Sequence, residues 1–173
     1  MLREGGRRLN GILRELVAAA VPGVTTAELD ELAFRLIREA GGDPIFKGYR
    51  AEGRGKPYPA AICTSINDEV VHGIAGERVL NEGDIVGIDL GMNYKGFFVD
   101  MAITVPVGNV DASAKKLMQV TEGALMVGIN EVRAGKTVGD IGYAIEAHVK
   151  KHNFVVVEEL GGHGVGYAQH EDP

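Results

Sequence analysis

The chain has 173 residues, enough for one domain of ordinary size, and 45% hydrophobic residues are enough to bury a core. A net charge of −6 offers no electrostatic grip on nucleic acid or an anionic membrane, and the single cysteine, Cys63, excludes an intrachain disulfide and fits a reducing compartment. No apolar run approaches the roughly 20 residues of a membrane helix and no signal-peptide pattern opens the chain, so a cytoplasmic protein is expected.

Residues 2–20 carry Leu9, Ile12, Leu13, Leu16 and Val17 at helical spacing, and Val21-Pro22-Gly23 ends that helix. Thr25-Thr26-Ala27-Glu28 is a capping box that opens a second helix, whose apolar face holds Leu29, Leu32, Ala33, Leu36 and Ile37. Gly41-Gly42-Asp43-Pro44 stops it. Residues 45–108 read as strands, with extended runs from Asp84 to Met92 and from Phe97 to Val105 around the turn Asn93-Tyr94-Lys95-Gly96. Asp111 caps a third helix running to about Val132. Thr137-Val138-Gly139-Asp140 is a second capping box, opening a helix to about His152. Phe154 to Glu158 reads as a strand, and a glycine-rich loop follows.

The two helical pairs resemble each other. At a spacing of 112 residues, Gly23 falls on Gly135, Thr25 on Thr137, Glu28 on Asp140 and Leu29 on Ile141. This ordered repeat predicts two related halves, about 1–108 and 109–173, each a helix pair followed by strands. The counterpart of the 84–105 hairpin would then lie near 196–217, so the second half is expected to be incomplete within residues 109–173.

Within the hairpin, Val86, Ile88, Leu90 and Met92 alternate to one face and Asp89 to the other; Asp100 likewise avoids the apolar face of Phe97, Val99 and Met101. A turn centred between Tyr94 and Lys95 sets Asp89 directly across from Asp100, with Cβ atoms about 5 Å apart. Facing carboxylates repel unless a cation or proton lies between them, which leaves two readings: solvated surface acids, or a divalent-metal site.

His163, in Gly161-Gly162-His163-Gly164-Val165-Gly166, sits where small residues allow a close backbone approach, and no helix follows to make the loop a phosphate cradle. His72 and His170 have no local zinc-motif spacing. His148 and His152 do, four apart on a helix, but they extend the apolar edge of Ile141, Ala144 and Ile145 and match the packing positions Leu36 and Ala40 in the repeat. Gly53-Arg54-Gly55-Lys56 is not a P-loop, because proline follows the lysine. Cys63 reads as a small buried apolar residue rather than a nucleophile.

Taken together, several segments resemble the methionine aminopeptidases. These are Tyr58-Pro59-Ala60-Ala61-Ile62-Cys63, Ser65 through Ile74 with His72, Gly83 through Asp89, Gly96 through Asp100, and Gly162-His163-Gly164-Val165-Gly166 ending at His170-Glu171-Asp172-Pro173. Aspartates eleven apart, then a G-H-G-V-G segment with a histidine seven residues on, form a specific combination spread over the chain.

The resemblance implies an α+β pita-bread (creatinase/aminopeptidase) fold, with pseudo-symmetric αβ halves around a curved antiparallel sheet. It implies one metallopeptidase catalytic domain holding two divalent ions, with Mn, Fe, Co, Zn and Ni all admitted by such ligands. Asp89 would bind one metal, Asp100 bridge both, and His163 bind the second. His72 and His170 would serve catalysis by contacting the substrate amide. Tyr58 and Cys63 would line the pocket of the methionine side chain. A metal-bridging hydroxide would attack the first peptide carbonyl, the two ions standing about 3.5–4 Å apart.

The implied substrates are the N-termini of peptides and nascent proteins, including those at the ribosome. No nucleic acid or membrane is expected as partner, and the complete protein would be monomeric. Gln169 stands where family members often carry an aromatic residue beside the methionine pocket, which bears on strict Met preference. The family also takes two glutamate ligands from its C-terminal half, beyond the residues here, so the chain alone is expected to be weakly active or inactive. An X-Pro peptidase of the same fold and a non-catalytic, peptide-binding pita-bread domain are the alternatives.

Overall fold

The computed structural model describes residues 1–50 and 55–172. Gly53 and Arg54, part of the segment read above as unlike a P-loop, lie outside the described residues, as does Pro173. The chain forms α1 (Leu2–Ala19), α2 (Thr26–Glu39), β1 (Asp43–Pro44), β2 (Ile62–Ile66), β3 (Ile85–Tyr94), β4 (Phe97–Pro106), α3 (Ala112–Glu131) and α4 (Val138–Lys151). It divides into two compact units, one of Met1–Val110 with Gly164–Asp172, the other centred on Asp111–His163.

In the first unit β3 is the central strand of an antiparallel sheet. β4 pairs along one edge from Ile85 to Tyr94, while β2 and the two-residue β1 share the other. The alternation read from sequence holds: Val86, Ile88, Leu90 and Met92 are fully buried, against Leu9, Ile12, Leu13 and Leu16 of α1 and Leu29, Ala33 and Ile37 of α2. Each such side chain contributes roughly 1.5–3 kcal/mol through removal from water, so this single face carries the unit. Gly5 of α1 lies close to the Val99 and Tyr94 side chains, a glycine permitting the near approach of helix to sheet.

The hairpin register corrects the sequence expectation. Tyr94 pairs with Phe97, Asp89 with Ala102, and Gly91 with Asp100. The turn residues are therefore Lys95 and Gly96, with φ of 54° and 84°, the signature of a type I′ turn, and the Asn93 side chain accepts from the Gly96 N–H at 3.0 Å. Moving the turn one residue along displaces the pairing by two. Asp89 and Asp100 become diagonal neighbours instead of direct partners, and they remain on one face.

The second unit is a helix pair around Val120, Ala124 and Val149, with Ile145, Phe154 and Val156 packed on it. The expected strand at 154–158 does not form among the described residues. Phe154 and Val156 turn inward and Val155 and Val157 outward, as in a strand, but no described segment pairs with them. His148 packs toward Gly123, where a Cβ would stand 2.7 Å from Nε2, and its ring lies 5.0 Å from that of His152.

Inside each unit the same local geometry recurs at the 112-residue spacing. Both capping boxes are complete, at Thr25 with Glu28 and at Thr137 with Asp140. Gly23 and Gly135 both have positive φ. α1 ends at Ala20 with φ −77° and ψ 72°, and α3 at Val132 with φ −74° and ψ 83°. α2 and α4 close alike: the N–H of Gly42 donates to Ile37 O at 3.1 Å, and that of Phe154 to Val149 O at 3.1 Å, across left-handed Gly41 and Asn153.

Candidate active site

The sheet face opposite the core carries Asp89 and Asp100. Alternation places them there, and small neighbours leave them room: Gly87, Gly91 and Ala102 share the face. Both aspartates are partly buried. On the other side of β3, Cys63 of β2 pairs with Asp89, so thiol and carboxylate are cross-strand neighbours. At the Gly91 end the face is walled by Ile45 and Phe46; a Cβ on Gly91 would fall 2.5 Å from Ile45 Cδ1.

β2 is set in place by groups that the sequence did not advertise. One carboxylate oxygen of Asp30 on α2 accepts from the N–H of Ala61 at 2.7 Å and of Ile62 at 3.0 Å, which tethers the start of the strand. The available signal was its position: Asp30 falls on the helical row of Thr26, Ala33 and Ile37, all buried, where a charge calls for a partner. Tyr58 projects its hydroxyl toward two carbonyls, Gly73 O at 2.9 Å and Ile62 O at 3.2 Å. Burial, then the adjacent Cys63, holds that phenol well above its usual range. Burial likewise pushes the Cys63 thiol up to about 11; the Tyr58 hydrogen bond opposes this, while the charges of Asp89, Asp100 and Asp30 add to it. Cys63 is thus a protonated thiol at neutral pH, which fits a pocket wall and not a nucleophile.

His72 is exposed and lies in the left-handed region, with φ 60°. The cause sits beside it. Gly73 is pressed onto β2: its carbonyl accepts from Thr64 N at 2.8 Å, and its N–H donates to Ser65 Oγ at 3.1 Å. A Cβ on Gly73 would stand 2.3 Å from Thr64 O and 2.9 Å from Ser65 Cα, both backbone atoms unable to swing aside. Gly73→Ala is therefore expected to lower the unfolding free energy by about 1–3 kcal/mol, read from urea midpoints. Wild-type stability in that variant would show that the His72 loop is not locked to the strand.

His170 stands against Tyr49, its ring centroid 5.3 Å away and its Nδ1 3.3 Å from the Tyr49 hydroxyl. Tyr49 is held by a backbone bond from Tyr58 N to its carbonyl at 2.8 Å. Sequence reasoning missed Tyr49, because 121 residues separate it from His170. His163 is exposed and belongs to the second unit, whereas Gly164 onward returns to the first. Asp89, Asp100, Cys63, Tyr58, Tyr49 and His170 are all residues of the first unit. Among the described residues, no three His, Cys, Asp or Glu side chains are grouped closely enough to hold a metal ion. What the sheet presents is a pair of carboxylates, hard oxygen donors of the kind a divalent cation takes, and they fit such an ion as part of its ligand set.

The profile of metallopeptidase family M24 matches residues 1–173. Over the whole chain the sequence is 43% identical to methionine aminopeptidase 1 of Bacillus subtilis, covering 67% of that protein. It is 45% identical to the methionine aminopeptidase of Borreliella burgdorferi over 93% of the chain and 62% of that protein. The methionine aminopeptidase of Rickettsia prowazekii superposes with a TM-score of 0.93 at 38% identity, over 99% of this chain and 67% of that one. The chain thus spans about two thirds of the length of these relatives. Chain-long identity, the pita-bread fold and the paired carboxylates agree: this chain belongs to metallopeptidase family M24, and the relatives named here are methionine aminopeptidases.

Proposed function

We propose that the protein removes the N-terminal methionine from peptides and nascent proteins. The observation that carries this reading is the pair Asp89 and Asp100 on one sheet face, with the half-buried Tyr58 and the buried Cys63 beside it. In this reading Asp89 and Asp100 would supply part of the ligand set of two divalent ions, with His163 added as the family resemblance implies. The ions, when bound, supply Lewis acidity toward the scissile carbonyl and lower the pKa of water.

The rest of the work belongs to the chain. Cys63 keeps its proton and Tyr58 spends its hydroxyl on backbone carbonyls, so both offer apolar surface to a substrate side chain. A thioether suits such a wall, since sulfur packs favourably against an aromatic ring. His72 and His170 donate hydrogen bonds to the substrate amide, where negative charge develops in the transition state. The Tyr49 contact orients the imidazole of His170, and the left-handed backbone at His72 sets the direction in which its side chain leaves the loop.

The test compares Met-Ala-Ser with Ala-Pro peptides in the presence of divalent metal. Release of free Met that stops on addition of a chelator is the expected result, with only weak release from residues 1–173 alone. Cleavage of Ala-Pro with Met-Ala-Ser untouched would assign the X-Pro activity instead. Metal binding by calorimetry without cleavage of either peptide would assign a binding domain.

A further inference from the structure

The glycines of Gly162-His163-Gly164-Val165-Gly166 allow a close backbone approach, and within the first unit the group that approaches is a side chain of the same segment. One carboxylate oxygen of Glu171 accepts from Tyr167 N at 2.5 Å and from Ala168 N at 2.9 Å. The other lies where a side chain at 166 would be: a Cβ on Gly166 would stand 3.1 Å from it. Gly164 and Glu171 exchange both backbone bonds, at 2.8 and 2.9 Å, and a Cβ on Gly164 would meet Asp172 O at 3.2 Å. The closed loop is then pinned to the sheet, with Phe98 N donating to Gly166 O at 2.8 Å two residues before Asp100, and Tyr167 lying 5.1 Å from the Phe97 ring. Glycine at 164 and 166, and an acid at 171, are therefore parts of one device.

We infer that Glu171 is a positioning residue for His170: its carboxylate closes the 166–171 loop and so holds the imidazole of His170 against Tyr49. The chemistry suits the task. Two convergent backbone N–H groups need an acceptor, an ionised carboxylate makes the strongest such bonds, and none of the groups it satisfies belongs to the core. The inference rests on the reading of His170 as a group that contacts substrate.

The test uses Glu171→Ala and Glu171→Gln in the full chain, with three readouts: the thermal midpoint, the nuclear Overhauser contact between the His170 and Tyr49 rings, and affinity for a non-hydrolysed Met-Ala-Ser analogue in the presence of metal. Glu171→Ala is expected to keep the midpoint near that of the parent, lose the ring contact and bind the analogue about tenfold more weakly, the size of one well-formed hydrogen bond. Glu171→Gln keeps an oxygen acceptor and is expected to restore both contact and affinity. A retained ring contact in Glu171→Ala, or a Gln variant as damaged as the Ala variant, overturns the inference. Loss of the folded state in Glu171→Ala also overturns it, because the carboxylate would then be holding the unit and not the loop. If the ring contact is lost in Glu171→Ala but His170→Ala binds the analogue as the parent does, the failure lies with the reading of His170.

Discussion

Asp89→Asn and Asp100→Asn are each expected to cut metal-dependent release of Met on the order of 10³-fold, the scale of losing several kcal/mol of charge stabilisation. Stability should move the other way. The two carboxylates are diagonal neighbours on one sheet face and partly buried, so in the metal-free protein their like charges repel. Removing one charge relieves that repulsion, and the metal-free variants are expected to melt at or above the parent temperature. Opposite signs in activity and stability mark residues kept for function at a structural cost. Melting curves and peptide turnover on the same preparations check both halves. A variant that melts well below the parent while turning over normally would show the two acids to be surface groups of the hairpin.

Ile88→Ala is expected to lower the unfolding free energy by about 2–5 kcal/mol. Ile88 is fully buried at the middle of β3, one residue from Asp89 and facing the opposite way, toward the cluster that contains Leu9, Leu16, Leu29 and Ile37. Truncation removes three carbons from a packed site and leaves a cavity that neighbours from two helices and a sheet cannot all close. Ile103, its partner on β4, is 43% exposed, and Ile103→Ala should cost only a small fraction as much. Urea midpoints of the two variants decide the matter. Equal losses would place the stabilising core elsewhere than beneath the central strand.

Local features were legible from sequence where a short pattern has a single geometric solution. Thr25 with Glu28 and Thr137 with Asp140 could cap helices only one way, and both boxes are complete. The alternation around Ile88 named the buried face. The hairpin register was not legible, because it depends on which two residues adopt positive φ. The written sequence puts Asn93 at the start of the turn, yet Lys95 and Gly96 bear it and Asn93 supports it through its side chain. The alternation of 154–158 was real, but a strand exists only through a partner, and a pattern within one segment cannot supply one. The site shows the same division. The Asp and His motifs stood out by residue type, whereas Asp30, Tyr49 and Glu171 act through backbone groups or rings up to 121 positions away, which no local spacing records.

The type I′ turn at Lys95 and Gly96 has a consequence for how this sequence can drift. The tip is exposed and polar, the kind of place where extra residues are ordinarily harmless. Here the length of the loop acts as a parity bit. Two residues gained or lost would slide Asp100 along the same side of the ribbon, while one would flip it under the helices and bring Met101 out in its place. Natural variation at this bend should accordingly favour exchange of letters over change of length, with the greasy underside of the ribbon enforcing the count on behalf of the acids above.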